Sequence, residues 1–367
     1  MRGYFLALIA CLTMLMFLSC AYRPQSDASI TLEDILRQRL NEGLSVPQER
    51  SGVDRYEFKP YLDGKWIGQA VSYGCYREGQ APGVKGPSKA EILEDLRIIA
   101  THWNLIRVYN ADDDTERILE VIREQKLPIR MLLGIWLENE TDKPAVRASN
   151  VENVLRAIRL VNEFEDIVIG VNVGNETQVF WSWHKMAFQD LVRYIVTIQN
   201  NTRVAVTTAD DYNYWNKPES RELATMLDFI TVHAYPLWNG KTMEEAIPWL
   251  DATLVEVQKL HPYKQIVLGE IGWATDYNAS KKGDGEQGSL IKGEVSLAAQ
   301  EEFLSRFDAW SKSRQICTFW FEAFDEPWKG GGQSTGPNEI EKNWGVFYES
   351  RLPKESFINY VAAKEPQ

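Results

Sequence analysis

The chain has 367 residues, 44% of them hydrophobic, with 13 Trp and 15 Tyr, enough for one large core. Its formal net charge of -12 excludes the basic face that a nucleic-acid partner requires. The same charge excludes peripheral attraction to anionic lipid, whereas a neutral, hydroxyl-rich ligand is compatible with it.

The amino terminus reads as an export signal: Arg2, then a mostly apolar run over 4–18. It ends in Phe17-Leu18-Ser19-Cys20, which resembles a bacterial lipobox, with Phe17 and Leu18 bulkier than the usual occupants. Residues 1–20 are therefore expected to be a lipoprotein-type signal with Cys20 lipidated. The protein is expected at an outer membrane or cell surface, or otherwise periplasmic or secreted, touching membrane only through the anchor. That leaves Cys75 and Cys317, which fall at opposite ends of neighbouring predicted strands. At ~3.3 Å of rise per strand residue they lie beyond disulfide reach, so two free, buried thiols are expected.

Residues 21–50 are polar except around Leu32, Ile35, Leu36 and Leu40, which line one face of a short helix behind a Thr31 cap. This segment is expected to be a tether and docking helix, with residues 51–367 forming one domain. Apolar runs at 66–73, 105–109, 129–135, 167–173, 203–208, 229–235, 265–270 and 317–324 read as strands. Amphipathic stretches at 88–100, 115–125, 150–164, 189–200, 243–260 and 296–312 separate them. Strands alternating with helices in this way predict an α/β fold, a single (β/α)8 TIM barrel. A doubly wound sheet would carry a glycine-rich dinucleotide turn after its first strand, and 73–82 lacks that spacing. The glycine-rich 329–336 reads as a mobile loop after the eighth strand.

In a parallel barrel, chemistry gathers at the carboxyl ends of the strands. Glu176 ends the fourth strand directly after Asn175, and Glu270 ends the seventh, nearly across the barrel. Two carboxylates facing one cleft can divide the work of glycosidic cleavage, one giving a proton to the departing oxygen, the other meeting charge at the anomeric carbon. Six tryptophans follow strands: Trp136, Trp181, Trp183, Trp238, Trp273 and Trp328. Two or three are expected to line sugar subsites, with Trp238 and Trp273 the choices. His233 lacks paired ligand spacing and reads as a satisfied barrel histidine, so neither a metal nor another cofactor is expected.

Val71-Ser72-Tyr73-Gly74, Gly174-Asn175-Glu176, Gly269-Glu270-Ile271-Gly272-Trp273 and Phe324-Asp325-Glu326-Pro327-Trp328-Lys329 together resemble glycoside hydrolase family 17. The resemblance spans roughly residues 66–350. It implies a retaining β-1,3-glucanase with Glu176 as acid/base and Glu270 as nucleophile. It further implies assisting roles for Glu326 and Lys329 and substrate-binding aromatics at Tyr73 and Tyr235. Tyr235 reads equally well as a barrel-lining ring. Glu322, in register with Glu326, would point into the barrel and serve as a supporting contact. A transglycosylase using the same residues is the alternative; a non-catalytic glucan-binding lipoprotein is a weaker one. A monomer is expected. Retention requires carboxyl groups about 5–5.5 Å apart, against about 6.5–9.5 Å for inversion.

Overall fold

The computed structural model describes residues 31–44 and 55–364. The export signal, Cys20 and most of the tether lie outside the described residues. The barrel strands are β1 (Gln69–Ser72), β2 (Leu105–Arg107), β3 (Arg130–Ile135), β4 (Val168–Asn175), β5 (Ala205–Asp211), β6 (Ile230–His233), β7 (Ile266–Ile271) and β8 (Thr318–Trp320), preceded by a two-residue hairpin, Tyr61–Leu62 with Lys65–Trp66. They close into one barrel in sequence order, every neighbouring pair parallel, with β8 returning to β1. The predicted (β/α)8 barrel is therefore the observed fold. Most of the strands are rich in β-branched and aliphatic residues because both faces are covered, one by the barrel interior and one by helices.

The helices longer than four residues are α1 (Leu32–Asn41), α2 (Lys89–Ala100), α3 (Asp113–Glu124), α4 (Pro144–Glu163), α5 (Phe188–Asn201), α6 (Ser220–Met226), α7 (Met243–Leu260), α8 (Leu297–Arg314) and α9 (Glu355–Ala362). Local chemistry sets their starts. Ser88 caps α2 in a capping box with Glu91, and Thr31 caps α1 with Asp34, satisfying backbone N–H groups that the first turn leaves unpaired. Helix α1 docks on α4 through buried Leu36 and Leu40, with Arg37 paired to Glu152.

A plug of Phe58, Ile67, Leu105, Phe229, Cys317 and Phe319 fills the amino-terminal end of the barrel, Phe58 stacked on Phe229 at 4.3 Å. Cys317 lies in this plug and Cys75 in the main core, both buried and free. Above the plug the interior turns polar, with Ser72, Arg107, Thr207, Thr231, His233, Glu270 and Glu322 all buried. That change of chemistry along the axis marks the working end. Strand β8 is shorter than its apolar run: the chain leaves the ladder after Trp320, and Phe324 bridges to Phe347 instead. The glycine-rich 329–336 is an irregular turn in which Gly330, Gly331 and Gly332 all take positive φ (59°, 103° and 56°), a conformation that favours glycine.

Candidate active site

The end of β4 is shaped by a register irregularity against β5 between Asn172 and Asn175. Gly174 takes φ +79°, and Glu176 itself takes φ +52°, a left-handed conformation that non-glycine residues adopt at a cost of order ~1–3 kcal/mol. The Glu176 N–H bonds the Ala209 carbonyl at 2.8 Å, fixing the turn to β5. Asp210, buried beside it, accepts from the N–H groups of Gln178 (2.7 Å) and Val179 (3.2 Å) and so holds the chain just beyond Glu176.

Glu270 has partners on both of its oxygens. Arg107 Nη1 donates to Oε1 at 2.8 Å, Tyr235 donates to Oε2 at 2.8 Å, and His233 Nε2 lies 3.4 Å from Oε1. Arg107, fully buried, also donates to the Gly269 carbonyl at 2.8 Å and to Asn175 Oδ1 at 2.6 Å. One guanidinium thus orients the nearer glutamate and the asparagine beside the other. His233 Nδ1 stands 3.0 Å from Glu176 Oε1, so the imidazole bridges the two carboxyl groups. Ligating atoms of Glu176, His233 and Glu270 all lie within 4.8 Å of one another.

Electrostatics separate the pair. Burial, then the negative charge of Glu270, pushes the Glu176 carboxyl up to about 8, although its side chain keeps 20% of its surface open. Burial also acts to raise Glu270, but His233, Arg107 and hydrogen bonding from Tyr235 outweigh it and hold that carboxyl below its ordinary value. Desolvation depresses His233 to about 4, leaving Arg107 as the permanent cation at neutral pH. Arg107 Nη1 lies 3.2 Å from His233 Nε2 and can only donate, so Nε2 accepts and the neutral ring carries its proton on Nδ1, which donates to Glu176 Oε1. The Glu176–His233–Glu270 cluster offers metal-type donors, but the Arg107 guanidinium already occupies the Glu270 oxygen that such an ion would use. The residues do not fit a resident divalent cation.

Lys329 Nζ bridges Glu322 Oε2 and Glu326 Oε2, each at 2.6 Å, over the Phe321 ring at 4.4 Å. Trp328 Nε1 adds a bond to Glu326 Oε1 at 2.9 Å. Glycine is required at position 74, where a Cβ would lie 2.1 Å from Glu326 Oε1. Glu322, Glu326 and Lys329 therefore come together, both carboxyl groups buried: desolvation raises Glu322, whereas burial of Glu326 is outweighed by Lys329 and hydrogen bonding, which hold it below its ordinary value.

Two expected contacts are corrected. Tyr73 is 2% exposed and spends its hydroxyl on Asp95 of α2 at 3.0 Å, so it braces the barrel wall and does not face the cleft. Trp273 is fully buried against Phe303, with Nε1 bonded to the Glu294 carbonyl, and belongs to the core. Trp238 stays partly exposed beside Trp344, which in turn packs on Tyr235.

Sequence reasoning missed Arg107, Tyr109, Asp210 and Glu341. Arg107 had a signal, a cation inside the apolar run 105–109, where a buried charge needs a partner. Tyr109 lies over the Arg107 guanidinium at 4.7 Å. Glu341, on a 3₁₀ turn (Ile340–Lys342), is pushed up to about 7 by burial; Lys329 opposes, and Glu270 and Glu176 reinforce. Nothing in its local sequence separates it from a surface glutamate.

A parallel barrel carrying two carboxyl groups of divergent acidity at its carboxyl-terminal mouth has the arrangement a glycoside hydrolase requires. The BtgE/BtgC glycoside hydrolase domain model matches residues 70–345, and the chain belongs to that family. It is 27% identical over 285 residues to a putative glucan endo-1,3-beta-glucosidase, btgC, of Aspergillus niger, covering 72% of this chain and 39% of that protein. The chain thus spans about two-fifths of that relative's length. It is also 27% identical over 312 residues to a glucan 1,3-beta-glucosidase of Arthroderma benhamiae, covering 78% of this chain and 92% of that one. Among solved structures, an endo-laminarinase from Formosa Hel1_33_131 superposes with TM-score 0.68 at 23% identity, covering 81% of this chain and 88% of that one. A glycoside hydrolase family 17 β-1,3-glucanosyltransferase from Rhizomucor miehei gives 0.60 at 22% identity, covering 78% and 95%. At these identities the structural likeness shows the fold.

Proposed function

We propose that this protein cleaves β-1,3-glucan with retention by double displacement, using Glu176 as acid/base and Glu270 as nucleophile. The observation that carries the reading is the close approach of the two carboxyl groups: one oxygen of each lies within 4.8 Å of the other, short of the about 6.5–9.5 Å that an inverting pair keeps to admit a water. The names of the fungal relatives supply the substrate class.

Glu176, raised to about 8, begins protonated and gives its proton to the bridging oxygen as that oxygen leaves the anomeric carbon. Glu270, kept ionised, attacks the same carbon from the opposite side and forms a glycosyl ester. Arg107 and Tyr235 hold its two oxygens in place for the attack. In the second step Glu176, now a carboxylate, takes the proton of an incoming hydroxyl. The new C–O bond forms, the ester bond to Glu270 breaks, and its electron pair returns to the carboxylate. Asn175, held by Arg107, is placed for a sugar hydroxyl, while the buried Tyr109 hydroxyl adds hydrogen bonding that helps keep Glu270 ionised. Lys329 offers an ammonium and Trp238 a stacking face.

The deciding experiment measures reducing sugar released from laminarin by the wild type and by Glu270→Ala. Equal rates in the two would remove the assignment. Sizing the products from a laminari-oligosaccharide separates hydrolysis, which yields only shorter chains, from transfer, which also yields longer ones.

We also propose export and lipid anchoring at Cys20, supported by Arg2, the apolar 4–18 and the lipobox-like 17–20. Among the described residues no helix is long and apolar enough to cross a membrane. Fatty-acid labelling of the wild type but not of Cys20→Ser is the expected result. Equal labelling, or none in either, would remove the anchor.

A further inference from the structure

The closed end of the barrel, opposite the catalytic mouth, carries a groove that the steps above do not use. Its volume is about 550 Å³, inside the range of about 300–1,000 Å³ usual for small-molecule sites, and Phe58 and Cys317 of the plug form part of its lining. The two-residue hairpin sets Tyr61 directly opposite Trp66, and residues opposed in an antiparallel pair share a face. Both rings therefore serve one side of the hairpin, and both line the groove. The Ile67 N–H ties the hairpin down on the Pro60 carbonyl at 2.8 Å. Glycine at position 68 leaves room for the indole, since a Cβ there would lie 2.4 Å from Trp66 Cζ2. A third ring, Tyr263 on the turn before β7, also lines the groove; it is 96% exposed and Tyr61 is 51% exposed. Tyr and Trp present large contact area at the cost of few rotatable bonds, which suits them to a waiting surface.

The charges of the groove are spent on one another. Arg55 grips Asp228 with two nitrogens, at 2.9 and 3.0 Å, and Lys59 pairs with Glu57 at 2.8 Å. No other cation lines it among the described residues. What is left for a ligand is uncharged and open to solvent: the hydroxyls of Tyr61 and Tyr263 and the amides of Gln265 and Gln315. None of these has a protein partner among the described residues. Stacking faces beside free hydroxyls and amides suit a neutral ligand with apolar C–H faces and many hydroxyls. An anionic headgroup would meet no unpaired cation, and an acyl chain would cover the hydroxyls and amides without bonding them.

We propose that this groove is a second glucan-binding site, remote from the cleft, which holds polymeric β-1,3-glucan at the closed end of the barrel while the mouth is free to cleave. The inference takes its ligand class from the function proposed above. Gln265 precedes β7 and Glu270 lies at the far end of that strand, with the plug closing the barrel between them. The groove is therefore no extension of the cleft, and cleavage of a short oligosaccharide does not depend on it. A polymer engages both sites, and its local concentration at the mouth rises through the second hold.

The test uses Tyr61→Ala/Tyr263→Ala, which removes two exposed rings and should leave the melting temperature unchanged. Binding to insoluble β-1,3-glucan is measured in a Glu270→Ala background, so that nothing is turned over. The expected result is an association constant lowered about tenfold, the effect of losing good stacking contacts. With Glu270 intact, kcat/KM on laminarihexaose should stay within about twofold of the wild type. An unchanged association constant overturns the proposal, and so does a matching fall in hexaose cleavage, which would make the groove part of the cleft. Should the wild type leave laminarihexaose uncut, the function proposed above falls, and the association constants alone decide the groove. Loss of binding to phosphatidylglycerol vesicles, or of self-association in sedimentation, with glucan binding intact would assign the surface to lipid or to a second copy instead.

Discussion

Arg107 Nη1 donates to Glu270 Oε1 at 2.8 Å, with both side chains buried. A buried carboxylate that must stay ionised needs a compensating charge within hydrogen-bond reach, and this guanidinium supplies it while also gripping Asn175.

Arg107→Met is therefore expected to lower kcat/KM at least about a hundredfold and to cost about 3–5 kcal/mol of stability, because Glu270 is left buried without its cation. The acid limb of the pH profile should move upward, since Glu270 then ionises less readily. Arg107→Lys should restore little, as an ammonium cannot reach Glu270 and Asn175 as a planar fork does. Activity profiles and thermal melts of both variants check this.

The pH dependence follows from the two carboxyl groups. Activity should rise as Glu270 ionises below 4.5 and fall as Glu176 loses its proton near 8, giving a bell in kcat/KM. The stability sign is the same for Glu176: a carboxyl raised on folding favours the folded state at low pH. That contribution is lost as pH rises from 4.5 through about 8. Glu176→Gln should reduce the fall in stability across that window and remove the basic limb for substrates with activated leaving groups. An unchanged basic limb in this variant would take the proton away from Glu176.

Lys329 is the shared counter-ion of Glu322 and Glu326, which are buried beneath it. Lys329→Met leaves two adjacent buried carboxyl groups without a cation. We expect a stability loss of about 3–5 kcal/mol, with a partial rescue by Glu322→Gln in the same chain. Denaturant titration of the single and double variants measures the coupling.

Two tryptophans that look alike in sequence should behave differently. Trp273→Ala removes a fully buried ring and should cost about 3–5 kcal/mol of stability. Trp238→Ala, at a partly exposed ring, should leave the melting temperature nearly unchanged and raise KM for laminari-oligosaccharides. Steady-state kinetics beside melting curves separates the two.

The barrel was legible because its strands and helices announce themselves by local periodicity, and Glu176 and Glu270 because each ends a strand inside a recognisable motif. The strand run at 317–324 was read too long, since apolar Phe321 and Phe324 pack and bridge outside the ladder instead of extending it. Tyr73 and Trp273 were misplaced for a related reason. Both sit at strand ends, yet Asp95 on α2 captures one hydroxyl, and Phe303 with the Glu294 carbonyl captures the other ring. Position along a strand says that a side chain is near the mouth; it does not say which way it turns.

The sequence by itself determined the fold class, the end of the barrel that works, and the two carboxylates that face each other there. These rest on hydrophobic period and strand order, which are properties of neighbouring residues. The family resemblance already implied Glu176 as the proton holder; only the tertiary structure supplied the physical cause. That depends on Arg107 from β2 and His233 from β6 meeting Glu270 and Glu176 across the barrel. Desolvation and charge act through space, and groups 126 residues apart in the chain, Arg107 and His233, share one buried site only once the barrel has closed.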